Sequence, residues 1–170
     1  MQPPQQPLGP WFQELIQESA QETLGPDAQP EAVRYLSRVL CDFLHTDQIF
    51  GLRDPLGRRL SSVTEMVAEG DIRTRAESFD RERQVHKHVG DYILFWSGVY
   101  PEFLRRLRWH DGLDLLCNYT EQAKQSYYVV STFNHPPYDQ EAPLFRELSD
   151  RFEGYSACLR GVRRALPPIS

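Results

Sequence analysis

The chain has 170 residues, 40% of them hydrophobic and 25% charged, which is the composition of one ordinary globular domain. The formal net charge of -5 argues against broad electrostatic binding to nucleic acid or an anionic membrane, which needs a basic surface. The longest apolar run is far shorter than the roughly 20 residues that a membrane-spanning helix needs. The three cysteines form no Cys-x-x-Cys pair and no signal peptide precedes them, so we expect a soluble, cytoplasmic protein with reduced thiols.

The first half of the chain predicts short helices joined by turns. Residues 1–10 are rich in proline and glutamine and are expected to form a flexible tail. Apolar residues recur every three or four positions over 11–24 and again over 30–49, which predicts two helices. Segment 51–60 contains Asp-Pro and an isolated glycine, which indicate a turn or a tiny hairpin. Segment 62–69 opens with the Ser-x-x-Glu spacing of a capping box, which predicts a short third helix.

The second half predicts longer helices. A long helix is expected from residue 71 to about residue 100, with an exposed first half and a buried second half. Shorter helical patterns follow over 101–108 and 113–133, although the end of the latter, YYVVSTF, also has strong β propensity and could be a strand. The last helix is predicted over 143–166, with apolar residues spaced as in a heptad seam. Gly154 and Gly161 lie off this seam and would permit close approach of a neighbouring helix.

These patterns together predict an all-α fold. We expect a compact bundle of about five to seven helices around a buried central helix near residues 84–100. The predicted organisation is one helical domain over 11–166, between the tail of residues 1–10 and a tail of residues 167–170.

The predicted central helix carries polar residues inside an apolar sequence. His86 and His88 look like a metal-binding His-x-His motif, but residues two apart on a helix point about 200° away from each other. Glu82 with His86, or His88 with Asp91, have spacings at which two side chains could share a metal ion. Two ligands do not complete a zinc site, which takes three or four. The sequence therefore predicts no bound metal or other cofactor.

His88 and Asp91 are the pair that most needs an explanation. A buried carboxylate needs a cation or several hydrogen-bond donors, and His88, arginines of other helices and tyrosine hydroxyls are all candidates. One interpretation is a structural clamp that fixes the register of the helices. The alternative is a ligand site or an acid–base pair in a pocket lined by His86, Tyr92 and Trp96.

Two arginine clusters and one cysteine–histidine pair complete the candidates. Arg105, Arg106 and Arg108 lie next to Trp109 and His110, and they form a possible contact surface for an anion or an acidic partner. A second cluster, at residues 160–164, lies near a helix C-terminus, where positive charge also stabilises the helix dipole. Cys41 and His45 have the spacing of a thiolate–imidazole pair, although a buried thiol beside a boundary histidine is the simpler interpretation.

Two resemblances concern the same central stretch. The segment HVGDYILFWSGVYPEF, with SFDRER before it and EAPLFRELSDRFE after it, resembles a family of bacterial helical proteins over most of residues 11–166. No activity is assigned to that family, so the resemblance implies a helical fold and no function. Locally, His88, Gly90-Asp91 and Ser97-Gly98 are similar to the distal helix of haem oxygenases. That family implies a proximal histidine early in the chain, whereas the first histidine here is His45.

The sequence leaves two functional hypotheses and contains no complete catalytic set. The first is a non-enzymatic domain that binds a protein partner or itself, through surfaces such as the arginine and tryptophan cluster. The second is a small-molecule, haem or metal-binding helical protein, or an enzyme, with a pocket around His88 and Asp91. We favour the first because function must be argued from a site, and no site is complete.

Overall fold

The computed structural model describes residues 8–44, 50–71 and 78–165. The all-α prediction is confirmed. The described elements run in chain order as α1 (Leu8–Thr23), α2 (Pro30–Phe43), α3 (Val63–Glu69), α4 (Phe79–Val99), α5 (Pro101–His110), α6 (Tyr119–Ser131), α7 (Ala142–Asp150) and α8 (Phe152–Val162). Short 3₁₀ turns at Gly25–Asp27 and Arg163–Ala165 follow α1 and α8. Within the described ranges there is no strand, only an isolated antiparallel bridge between Arg53 and Arg59.

Local sequence signals explain where several helices begin. The Ser62 hydroxyl accepts a hydrogen bond from the Glu65 N–H at the start of α3, as the capping-box spacing predicts. Ser78 caps α4 and Asn118 caps α6 in the same way. Pro30 and Pro101 occupy the first positions of α2 and α5, where a missing N–H costs nothing.

Helix α4 is the centre of the bundle, as expected. It contacts α2, α3, α5, α6 and α8, while α1 packs against α2 and α8, and α7 packs against α6. Its buried residues extend from Arg83 to Val99 and share one continuous core with the other helices. A side chain in the middle of α4 is therefore surrounded by protein on most sides.

Close helix contacts depend on glycines. A Cβ atom at Gly90 would overlap the ring of Tyr127 on α6, and one at Gly98 would overlap Leu159 on α8. Gly154 lies against Leu24, and Gly161 lies against Ser19. These glycines allow α1 and the residue after it to approach α8 closely, which confirms the predicted close approach.

Several predicted boundaries were wrong. Helix α1 begins at Leu8, inside the segment expected to be a tail, and α4 begins at Phe79 rather than near residue 71. The predicted strand alternative at 127–133 is excluded because Tyr119–Ser131 is helical. The predicted helix over 113–133 begins only at Tyr119, and the one over 143–166 is divided at Arg151, whose backbone is not helical. Residues 45–49, including His45 of the proposed Cys41–His45 pair, lie outside the described ranges, as do residues 72–77.

Candidate functional site

The Asp91 carboxylate lies in a cage of hydrogen-bond donors at the centre of the bundle. Asp91 is 5% exposed. The Tyr35 hydroxyl of α2 lies 2.7 and 2.8 Å from the two carboxylate oxygens, and the Tyr127 hydroxyl of α6 donates to Oδ1 over 2.8 Å. Lys87, one turn earlier on α4, places Nζ 3.2 Å from Oδ2. The described hydrogen bonds to Asp91 thus come from Tyr35, Tyr127 and Lys87, and not from His88 as the spacing suggested.

The neighbours of the cage explain how it forms. Because Gly90 has no side chain, the ring of Tyr127 lies directly against α4, with its hydroxyl at the next residue, Asp91. The rings of Tyr35 and Tyr127 both contact Phe145 of α7, at centroid distances of 5.3 and 5.8 Å. Aromatic rings from three other helices therefore position the donors around the carboxylate.

The cage keeps its two phenols protonated. Burial, followed by the negative charge of Asp91, raises the pKa of Tyr35 and of Tyr127 well above the ordinary value. Two neutral phenols and one lysine ammonium therefore supply the bonds to a single carboxylate. Lys87 also lies over the ring of Tyr35, with Nζ 5.5 Å from the ring centroid. This arrangement can join α2, α4 and α6, but it leaves little of the carboxylate free to contact a ligand.

The two histidines of α4 lie in different environments, as the helical geometry predicts. His86 faces α6, where its Nδ1 lies 3.1 Å from the Ser126 hydroxyl. Burial lowers the pKa of His86, an effect that the nearby charge of Asp71 only partly offsets. His88 instead packs against the rings of Phe43 and Tyr92. The two imidazoles therefore do not form a joint site.

Tyr92 and Trp96, the other predicted ligand-binding residues, belong to an aromatic row on the side of α4 that faces α5. The Tyr92 hydroxyl donates to the Ser61 carbonyl over 2.9 Å, and the Trp96 ring stacks on Phe103 at a centroid distance of 3.9 Å. Outside this row is an open cleft of about 470 Å³. We call it the α5 cleft, and it is lined by Phe50, Ser61, Phe103, Arg106, Leu107 and His110.

The predicted arginine cluster occupies the outer side of α5. Arg105, Arg106, Trp109 and His110 line a shallow concavity there, with Glu102 at its other end. We call these five residues the arginine face. Trp109 is 70% exposed, an unusual position for the largest apolar side chain.

The structure brings the two arginine clusters together. The guanidinium of Arg163, just after α8, lies 3.0 Å from the Glu102 carboxylate at the edge of the arginine face. The prediction that Arg108 belongs to the contact surface is not supported by its position. Arg108 is half-buried, donates to the Cys117 carbonyl over 3.1 Å and lies over the Tyr119 ring, so it holds the following loop.

The loop after α5 has the reverse of the usual burial pattern. In the sequence Leu113-Asp-Leu-Leu116, the aspartate is fully buried and the leucines are exposed, Leu116 at 98%. The Asp114 carboxylate accepts hydrogen bonds from the Ser62 and Tyr119 hydroxyls. It also accepts the backbone N–H groups of residues 63 and 64 at the N-terminus of α3. Leu113, Leu115 and Leu116, which we call the leucine loop, are consequently exposed in the segment that follows α5.

Asp114 is a charged cap in a buried position. Burial alone would raise its pKa, but the hydrogen bonds from Thr64, Ser62 and Val63 outweigh burial and lower it. The carboxylate therefore stays ionised at neutral pH and interacts favourably with the positive end of the α3 dipole. The predicted helix over 113–133 included Leu116, and Asp114 was not among the predicted site residues. The Asp111-Gly112 pair just before this segment is a local turn signal that is consistent with a later helix start.

Neither a group of metal ligands nor a similar protein indicates a further site among the described residues. Among the described residues, no group of three or more His, Cys, Asp or Glu side chains could hold a metal ion. Within the same ranges, no helix is both long and apolar enough to cross a membrane. Comparison with protein-family models, curated proteins and solved structures finds no match. Function must therefore be inferred from the geometry of the chain itself.

Proposed function

We propose that this helical domain is a non-enzymatic interaction domain that binds an acidic protein partner through the arginine face and the leucine loop. The observation that carries the proposal is the exposure of Trp109 beside Arg105 and Arg106, together with the exposure of Leu116 in the segment that follows α5. A buried carboxylate cap on α3 holds the leucines outward, so their exposure is built into the fold.

The chemistry of the surface favours a protein as the occupant. Tryptophan and arginine are the residues most enriched among those that dominate binding energy at protein interfaces. Exposed apolar groups with a charged border are typical of interaction sites rather than of inert surface. The positive charge of Arg105, Arg106 and neighbouring Arg163 would attract carboxylates, which favours an acidic partner.

Other occupants fit the charge of the molecule less well. The chain has a net charge of -5, so an extended nucleic acid or anionic membrane would meet acidic surface beyond the arginine face. A second copy would have to dock one of its acidic surfaces on this basic one. If that acidic surface lies outside the interface, such a head-to-tail contact does not close into a symmetric dimer. A cytoplasmic location remains a prediction from the cysteines, and the three described thiols are free.

The closed Asp91 cage argues against the alternative of a pocket around His88 and Asp91. Its carboxylate already accepts bonds from two phenols and one ammonium group. A general base or a ligand anchor needs a free lone pair within reach of the substrate. The cage supports the interpretation of a structural clamp, so any small-molecule site should lie elsewhere.

The test uses a labelled peptide that forms an amphipathic helix with glutamates on one face and leucines on the other. We expect saturable binding by fluorescence anisotropy that weakens as salt is added. Arg105→Glu and Trp109→Ala should each weaken binding about tenfold or more. The matched control is Arg34→Glu on α2, an exposed arginine that pairs only with Glu31 among the described contacts.

Three results would overturn the proposal. These are equal losses in the control and face variants, preferential sedimentation of the protein with phosphatidylserine vesicles, or a concentration-dependent dimer with no peptide binding.

A further inference from the structure

We propose that the α5 cleft is a binding site for a small amphipathic carboxylate, such as an aryl-alkanoate or a medium-chain fatty acid. This inference does not depend on the proposed protein partner, although the two sites share Arg106 and His110. The volume of about 470 Å³ lies within the range of small-molecule sites, roughly 300–1,000 Å³.

The cleft is formed by two segments that are distant in the sequence. Phe103, Arg106, Leu107 and His110 occur three, four and seven residues apart, so they share one side of α5. Phe50 and Ser61, at either end of the segment before α3, form the opposite wall. The cleft therefore lies between the two segments, and it is distinct from the outer concavity at Arg105 and Trp109.

The apolar wall is rigid and preformed. Phe103 stacks on the buried Trp96, and Phe50 packs edge-to-face on Tyr92 at a centroid distance of 6.3 Å. Tyr92 is itself held by its hydrogen bond to the Ser61 carbonyl. A ligand that slides an apolar body along Phe50, Phe103 and Leu107 would not have to order these rings, which lowers the entropy cost of binding.

The polar end of the cleft defines the ligand head group. Arg106 and His110 lie one turn apart on α5, and both line the cleft. Among the described residues that line the cleft there is no carboxylate, and Glu102, one turn before Arg106, lines the outer concavity instead. A planar guanidinium binds a carboxylate through two parallel hydrogen bonds, and the imidazole can supply a third donor. An apolar body with one carboxylate at its end matches both halves of the cleft.

The fluorescence of Trp96 can report ligand binding in the test. Trp96 is buried directly behind Phe103, so Trp11→Phe and Trp109→Phe together would leave it as the only tryptophan. Titration with 4-phenylbutyrate and with octanoate should then change Trp96 fluorescence with saturation. The alcohols 4-phenylbutanol and octanol, which lack the charge, should bind about tenfold or more weakly.

Matched variants separate this site from the arginine face. Arg106→Gln should weaken carboxylate binding about tenfold or more, whereas Arg105→Gln should leave it unchanged because Arg105 does not line the cleft. Ser61→Phe should block the cleft, and its backbone carbonyl can still accept from Tyr92. Binding of the acidic peptide should show the reverse dependence on Arg105.

The inference is overturned if neither carboxylate gives a saturable change, or if the alcohols bind as tightly as the acids. It is also overturned if binding survives both Arg106→Gln and Ser61→Phe. A chain that binds the carboxylates but not the acidic peptide would refute only the proposed protein partner, and the opposite result would refute only the cleft.

Discussion

Among the described residues two aspartates are buried, and their carboxylates find hydrogen-bond donors in different ways. Asp91 lies in the middle of the bundle and accepts hydrogen bonds from side chains of α2, α4 and α6. Asp114 lies in a loop near the surface and accepts its bonds mainly from the N-terminus of α3. Both have little or no exposed surface, so burial alone does not distinguish their roles.

The two carboxylates differ in the parts of the structure that their hydrogen bonds hold in place. Asp91 joins helices that already pack through apolar contacts, and its effect stays inside the core. Asp114 is held against the start of α3, while the leucines on either side of it are exposed in the segment that follows α5. On the proposed function, Asp114 would matter through the surface that it positions, whereas the bonds to Asp91 support a structural role.

The largest effect is expected at Asp91. Asp91→Ala leaves the Tyr35 and Tyr127 hydroxyls and the Lys87 ammonium without their acceptor, which should lower the free energy of unfolding by about 3–5 kcal/mol. Urea denaturation followed by far-UV circular dichroism would measure it. Asp91→Asn should cost less, because the amide oxygen can still accept from one phenol.

A compensating variant distinguishes a clamp from a site. Replacing both phenols together with the acid, as Asp91→Leu with Tyr35→Phe and Tyr127→Phe, should recover part of the stability lost in Asp91→Ala. A stable Asp91→Ala protein would contradict the structural interpretation of the cage.

Replacing Asp114 should have the second largest effect on stability. Unlike a replacement of Asp91, it should also weaken peptide binding. Asp114→Ala removes the acceptor of two backbone N–H groups and two hydroxyls, which should cost about 2–3 kcal/mol. Because the loop loses its anchor, the variant should also bind the acidic peptide more weakly. Asp91→Asn should not weaken peptide binding as long as it folds. Equal peptide binding by folded Asp114→Ala would contradict the role assigned to the loop.

Asp114 also predicts a dependence on pH. Its pKa is lowered in the folded state, so its stabilisation is complete above the unfolded value of about 3.9 and is lost as the pH falls further. Urea denaturation of the native chain at pH 7 and at pH 3 should show this loss. The difference between the two pH values should be smaller in Asp114→Ala.

Gly90 tests the packing that positions Tyr127 in the Asp91 cage. Gly90→Ala would place a methyl group against the fully buried ring of Tyr127. Overpacking of this kind costs about 1–3 kcal/mol, part of which the better helix propensity of alanine offsets, so we expect a net loss of about 1–2 kcal/mol. Gly9→Ala is the matched control, since no atom lies within 4 Å of the added group in α1. Equal stability of the two variants would contradict the proposed packing.

Local patterns were sufficient to predict most of the fold. Periodic apolar residues identified the helices, and proline or serine marked several of their starts. Helical geometry alone also separated His86 from His88, which the structure confirms. These features depend on neighbours within one or two helical turns, which a single sequence contains.

The candidate sites depend on distant residues, so the sequence could indicate them only in part. Asp91 was identified as a buried carboxylate, but its phenol partners are 56 and 36 residues away. Apolar periodicity predicted a helix from residue 113, because it cannot show that the Asp114 carboxylate binds the N-terminus of α3 and that the helix begins only at Tyr119. Arg108 resembled its neighbours in sequence and turned inward because the Cys117 carbonyl lies within its reach.

The smallest expected effect concerns His86 in the core part of α4. It should affect stability in a higher pH range than Asp114 does. Burial lowers the pKa of His86 in the folded chain, whereas the unfolded chain binds its proton near pH 6.5. The unfolded state therefore binds more protons as the pH falls below about 6.5, and the free energy of unfolding should decrease between pH 7 and pH 5. His86→Gln should reduce this decrease, as measured by urea denaturation at both pH values. Ser126→Ala, which removes the hydrogen-bond partner and keeps the imidazole, should lower stability at both pH values and preserve the decrease. If His86→Gln retains the full decrease, the group that titrates between pH 7 and pH 5 is not His86, and the burial of this imidazole does not cause the loss of stability.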